Sequence, residues 1–222
     1  MESHPLIARL ADGIHLRRVF AAAITLSLLA CGTVMTTPRS GYLSDYSALE
    51  ELPDAASASR ATVQSIDPAR VTVFEVVWRV DASANIGGDE REALLARLRS
   101  ELQQRVQALP AQPQGGPAQI RAAITRVETV SPALNTVGML LLIGPLDRGG
   151  GAFEIEAVDP VTQRQLAALR LGYFAPLSEF RARFDRMAPA EIAVRKAAAD
   201  FAVLLTPRAG AAKSAGLKRS AA

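Results

Sequence analysis

Residues 151–174 read GAFEIEAVDPVTQRQLAALRLGYF. Two runs, 151–159 and 163–174, flank Asp159-Pro160-Val161-Thr162, and a proline at the second turn position presets φ, so the stretch predicts a β-hairpin. In the first run Phe153 and Ile155 fall on one side and Glu154 and Glu156 on the other. That alternation predicts a strand with its glutamates on a solvated face, where Arg164 or Arg170 can pair with them across the hairpin. Upstream, residues 71–80 (VTVFEVVWRV) alternate too, with Phe74, Val76, Trp78 and Val80 towards a core and Glu75 and Arg79 away from it. Residues 119–130 (QIRAAITRVETV) read as a further strand whose alternation slips near Arg126.

Helices occupy the rest. After the turn residues 85–88, Asp89 with Glu92 three places on has capping-box spacing. Leu94, Leu98, Leu102, Val106 and Leu109 then make one apolar stripe on a helix of 90–109, and Pro110 to Pro117 (PAQPQGGP) ends it. Leu177, Phe180, Phe184 and Met187 predict a short amphipathic helix, and Pro189 suits the first position of a last helix, 189–205, closing on Phe201, Leu204 and Leu205. The order β-α-β-β-β-α-α predicts an α+β fold, with a small, mostly antiparallel sheet of about four strands and helices packed on one face.

The chain has 222 residues, 49% of them apolar, and a single cysteine, so disorder and a disulfide scaffold are excluded. Residues 71–206 form one predicted domain. Residues 31–70, rich in Ser, Thr, Ala and Pro, read as a tether with an ordered segment at 40–49, whose tyrosines pack on the domain edge. Residues 207–222 form a flexible basic tail. Eighteen basic and twenty acidic side chains lie between 31 and 206, so the body is slightly acidic and lacks the footprint of a nucleic-acid binder.

The N-terminus predicts export. Arg9, Arg17 and Arg18 precede the uncharged run 19–30 (VFAAAITLSLLA), which is too short to span a bilayer as a helix. Residues 1–30 therefore read as a signal peptide. Leu28-Leu29-Ala30-Cys31 resembles the bacterial lipoprotein cleavage box, with the cut between Ala30 and Cys31 and a membrane anchor on the acylated Cys31. Gly32 after the cysteine, by resemblance to the sorting rule of enteric bacteria, points to the inner leaflet of the outer membrane, facing the periplasm.

Both histidines, His4 and His15, lie in the signal. The mature chain then lacks an imidazole and a free thiol, so Ser-His-Asp and Cys-His catalysis and the common zinc sites are excluded. Neither a P-loop nor a G-x-G-x-x-G motif occurs. Glu154 and Glu156, roughly 6–7 Å apart by strand geometry, leave a carboxylate-based hydrolase as a distant alternative. Gly149-Gly150-Gly151 after Arg148 leads into a strand, without the helix that a phosphate cradle uses. The connection 132–150 is unusually long and holds the uncharged run 137–143 (VGMLLLI). It predicts either a sticky contact surface or a buried turn beneath the sheet. The candidate binding residues are Leu134, Met139, Leu140, Leu141 and Leu142.

Together, Cys31 with its box, Gly41-Tyr42-Leu43-Ser44-Asp45-Tyr46, Pro132-Ala133-Leu134-Asn135 and the hairpin 153–167 resemble the bacterial lipoproteins grouped as domain of unknown function 3313. That resemblance implies an envelope lipoprotein and supplies no catalytic residues. The expectation is a non-enzymatic protein without cofactor or metal. It would bind an envelope protein partner or form a homo-oligomer through 132–150, or serve as a lipid- or cell-wall-binding accessory.

Overall fold

The structure, a computed structural model, describes residues 35–51, 57–80, 85–141, 148–176 and 178–206. The predicted signal peptide with Ala30 and Cys31, the basic tail, Leu142 and Leu177 lie outside the described residues. The sheet has six strands: β1 (Glu50–Glu51), β2 (Ser57–Arg60), β3 (Ile66–Trp78), β4 (Gly116–Glu128), β5 (Gly150–Val158) and β6 (Gln165–Phe174). Three helices accompany them, α1 (Gly88–Gln107), α2 (Pro132–Leu140) and α3 (Ala188–Leu204), with a 3-10 turn at Phe180–Phe184. The fold is mixed α/β.

The predicted hairpin forms, pairing Glu154 with Arg170 and Glu156 with Ala168 in antiparallel register. Its turn is closed by Asp159, whose Oδ1 accepts from the Val161 and Thr162 N–H groups at 2.9 Å each. Strand order is β1-β2-β6-β5-β4-β3. The expected four strands become six because β1 and β2 come from the stretch read as tether. Those strands are two and four residues long, too short for alternation to show. β3 and β4 pair in parallel, joined by α1, whereas the other neighbours are antiparallel.

One sheet face carries the core. Ile120, Ala122 and Ile124 of β4, Phe153 and Ile155 of β5, and Leu169 and Leu171 of β6 pack beneath Leu94, Leu98 and Leu102 of α1 and Ala197 and Phe201 of α3. Three local readings shift. The α1 N-cap is Gly87, not Asp89, and the Glu90 carboxylate accepts from its N–H at 2.9 Å. The short helix around Phe180 is a 3-10 turn. Phe74 lies outside the core: the β3–β4 register slips between Val73 and Glu75, which ejects Phe74 to 64% exposure and keeps Val76 and Trp78 on the core face. The slip read near Arg126 is a register shift between Ile124 and Arg126.

Candidate functional site

The glutamates of the hairpin are not solvated. Glu154 and Glu156 are 1% and 0% exposed, because residues 35–49 lie as a strap across the face that alternation assigned to water. Tyr42 and Leu43 of the strap pack on Ala123 and Ala168, whose small side chains let the backbone approach the sheet. Gly41, at φ +78°, adopts the left-handed conformation between Ser40 and Tyr42, both of which bind Glu154.

Around each carboxylate the donors are complete. Glu154 accepts from the Ser40 N–H (2.9 Å) and hydroxyl (2.5 Å), the Tyr42 N–H (3.3 Å) and the Tyr46 hydroxyl (2.6 Å). Glu156 accepts from the Ser44 N–H (2.9 Å) and hydroxyl (2.7 Å), Gln165 Nε2 (2.9 Å) and Arg121 (3.2 Å). An ionised carboxylate offers about four lone-pair sites, and each of these meets four donors, three on Oε2 and one on Oε1. The expected partner Arg170 turns elsewhere: its guanidinium donates to the Thr37 carbonyl at 2.6 Å and to Glu51 at 3.3 Å.

Electrostatics extend the clasp sideways. The Tyr42 hydroxyl donates to Glu75 at 3.0 Å, and the Arg79 and Arg121 guanidinium groups lie 5.9 and 5.5 Å from its ring centroid. Burial, and then the hydrogen bond to Glu75, raise the Tyr42 pKa far above the tyrosine range. Burial, followed by the bond to Glu154, raises that of Tyr46. Hydrogen bonds from Ser47 hold the Asp45 carboxyl below its ordinary range.

A cleft of about 540 Å³ opens where the strap meets the sheet, lined by Thr37, Ser40, Arg79, Thr125, Arg126 and Glu128 among others. Arg126 in it is paired with Glu128, while Thr37 Oγ1 is buried without a hydrogen-bond partner among the described residues. No group of three potential metal ligands stands together among the described residues, and no helix there is long and apolar enough to cross a membrane.

The first part of the predicted contact stretch, Pro132–Leu140, is a helix, with Ser131 as N-cap, its hydroxyl accepting from the Leu134 N–H at 3.3 Å, and Pro132 in the first turn. α2 buries Asn135 and Gly138 and turns Leu134, Val137, Leu140 and the following Leu141 outward, at 45%, 50%, 78% and 62% exposure. Met139 is half-buried. Sequence reasoning singled out the α2 leucines without deciding between contact and core, read the carboxylates as solvated, and did not connect Ser40, Ser44, Tyr46 or Arg121 with them. A signal for the strap was present: donors recur at Ser40, Tyr42, Ser44 and Tyr46 with the period of two that spaces Glu154 and Glu156.

A family model described as a protein of unknown function, DUF3313, matches residues 38–201. The chain belongs to the DUF3313 family. The DUF3313 match begins at Pro38, so the strap is part of the domain and not a leader to it. No curated protein matches. Two solved structures resemble the fold, both of PelC dodecamers from Paraburkholderia phytofirmans. One is 10% identical and covers 68% of this chain and 99% of that one, with a TM-score of 0.41. The other, a point variant, is 8% identical and covers 68% and 98%, also at 0.41. Likeness at that level says nothing of what this DUF3313 protein does or how it assembles.

Proposed function

We propose that this chain is a lipid-anchored, periplasm-facing envelope protein that acts by binding and not by catalysis, with the outward face of α2 as its contact surface. The observation that carries the proposal is the exposed stripe of Leu134, Val137, Leu140 and Leu141, in a helix without a charged residue. Apolar side chains grouped in this way mark a contact with protein or membrane. The anchor rests on Cys31 and its cleavage box, and the sheet gives it a firm footing through the strap that follows.

The hydrolase alternative requires a carboxylate oxygen able to reach water or substrate. At Glu154 and Glu156 four donors of the protein itself already bind each carboxylate, and the two side chains are 1% and 0% exposed. Their work is to hold the strap.

In-cell photo-crosslinking from residue 140, read by mass spectrometry, tests the binding role. Discrete adducts with a protein, a second copy of the chain or lipid support it, and each names the occupant. Adducts confined to the same molecule overturn it, since the leucines then close over the chain's own residues.

A further inference from the structure

The exposed face of α2 and the point where the chain joins its anchor stand at one end of the sheet. β4 ends at Glu128 opposite Gly150, and Gly150 pairs with Phe174, so this end is marked by 128, 150 and 174. α2 begins four residues beyond Glu128. Met35, 2% exposed, lies against the same end, where a Cβ on Gly172 would fall 2.0 Å from its carbonyl oxygen. From there the strap runs away towards the other end, meeting Glu154 at Ser40 and Gln165 at Asp45.

Gly32, Thr33 and Val34 alone separate Cys31 from Met35. Four Cα–Cα steps of at most 3.8 Å span no more than about 15 Å. With Cys31 acylated, a reading on which this inference rests, Met35, at the end of the sheet from which the chain enters α2, is held within about that distance of the leaflet. The stretch 131–146 (SPALNTVGMLLLIGPL) contains no charged residue, and its one polar amide, Asn135, is buried. A protein interface carries a polar rim with hydrogen bonds, whereas insertion into a leaflet scales with the apolar area buried, which this stretch supplies.

We propose that the α2 face enters the headgroup–acyl boundary of the leaflet that holds the anchor, so that the body is docked on the membrane at two points. Leu140 and Leu141 are the deepest residues of the contact, and the β5–β6 turn with Val161 points away from it.

The test uses the full chain, purified with its acyl chains. Leu140→Cys, or Val161→Cys as reference, takes an environment-sensitive dye. Both proteins are reconstituted into phosphatidylethanolamine–phosphatidylglycerol vesicles containing doxyl-labelled lipid. Val161 is 86% exposed, so both substitutions leave the core alone. The expected result is a blue-shifted dye at 140, quenched at least about threefold more strongly than at 161, as insertion by 5–10 Å requires. Equal quenching at the two positions, with no dye on the wild-type chain, overturns the leaflet contact alone and returns α2 to a protein partner. Dye on wild-type Cys31 shows a free thiol and overturns the acylation reading together with this inference.

Discussion

Glu154 is the residue on which most of the strap depends, since four donors converge on its two oxygens from Ser40, Tyr42 and Tyr46. Removing the carboxylate strands those donors under a covered face, and an unsatisfied buried polar group costs about 1–3 kcal/mol. Glu154→Leu is therefore expected to lower the unfolding free energy by about 3–5 kcal/mol, since several donors are stranded at once. Glu154→Gln, which keeps the shape but points an amide at donors, should lose less, about 1–3 kcal/mol. Denaturant unfolding of both variants checks the order, and a silent Glu154→Leu would mean the strap is held elsewhere. Tyr42 gives a pH signature at the same scale. In the unfolded chain its hydroxyl ionises near 10.0, while in the folded chain burial and Glu75 keep the proton on to far higher pH. The folded state thus binds the extra proton above that value, so stability is fully present below pH 10 and falls as pH rises beyond it. Tyr42→Phe should flatten this alkaline limb, measured as the slope of unfolding free energy between about pH 10 and 12.

Elements show where the sequence was legible. The long stripes of α1 and α3 and the hairpin around Asp159-Pro160 were readable because each repeats its period over several turns or pairs. β3 was readable as a strand, with Val76, Trp78 and Val80 facing the core as read, but one inserted residue at Phe74 reverses the alternation for everything before it. Phe74→Ser is accordingly expected to change stability by no more than about 0.5 kcal/mol, while Trp78→Ser on the same strand should cost several times more. Thermal and denaturant unfolding separate the two, and a strongly destabilised Phe74→Ser would restore the original reading of the face. The glutamate pair was misjudged for a different reason. Alternation tells which side chains share a face, but what covers that face is set by Ser40–Tyr46, 108 to 114 residues away in sequence. Long-range cover leaves no mark on local periodicity.

At the scale of the whole molecule, the strap decides how far the body can stand from its anchor. Gly172 makes the close approach possible: a Cβ there would meet the Met35 carbonyl oxygen at 2.0 Å and the Thr37 methyl at 2.6 Å. Gly172→Ala should therefore lift the first residues of the strap while Ser44 stays on Glu156 at the far end. The exposed Arg39 then becomes a substrate for trypsin, with cleavage at least about tenfold faster than in the parent, equivalent to about 1.4 kcal/mol of easier local opening. Helix and strand content by circular dichroism should not move, which separates strap release from global unfolding; an unchanged cleavage rate would show that the sheet yields instead. The release has a consequence at the membrane. Thirteen Cα–Cα steps, and not four, would then separate Cys31 from the first fixed point at Ser44. At about 3.5 Å per residue that is a leash of roughly 45 Å, long enough for the body to leave the leaflet. A dye at position 140 should consequently lose most of its lipid quenching in the Gly172→Ala background, although α2 itself is unaltered. Full retention of quenching would show that the α2 leucines hold the body down without help from the short link.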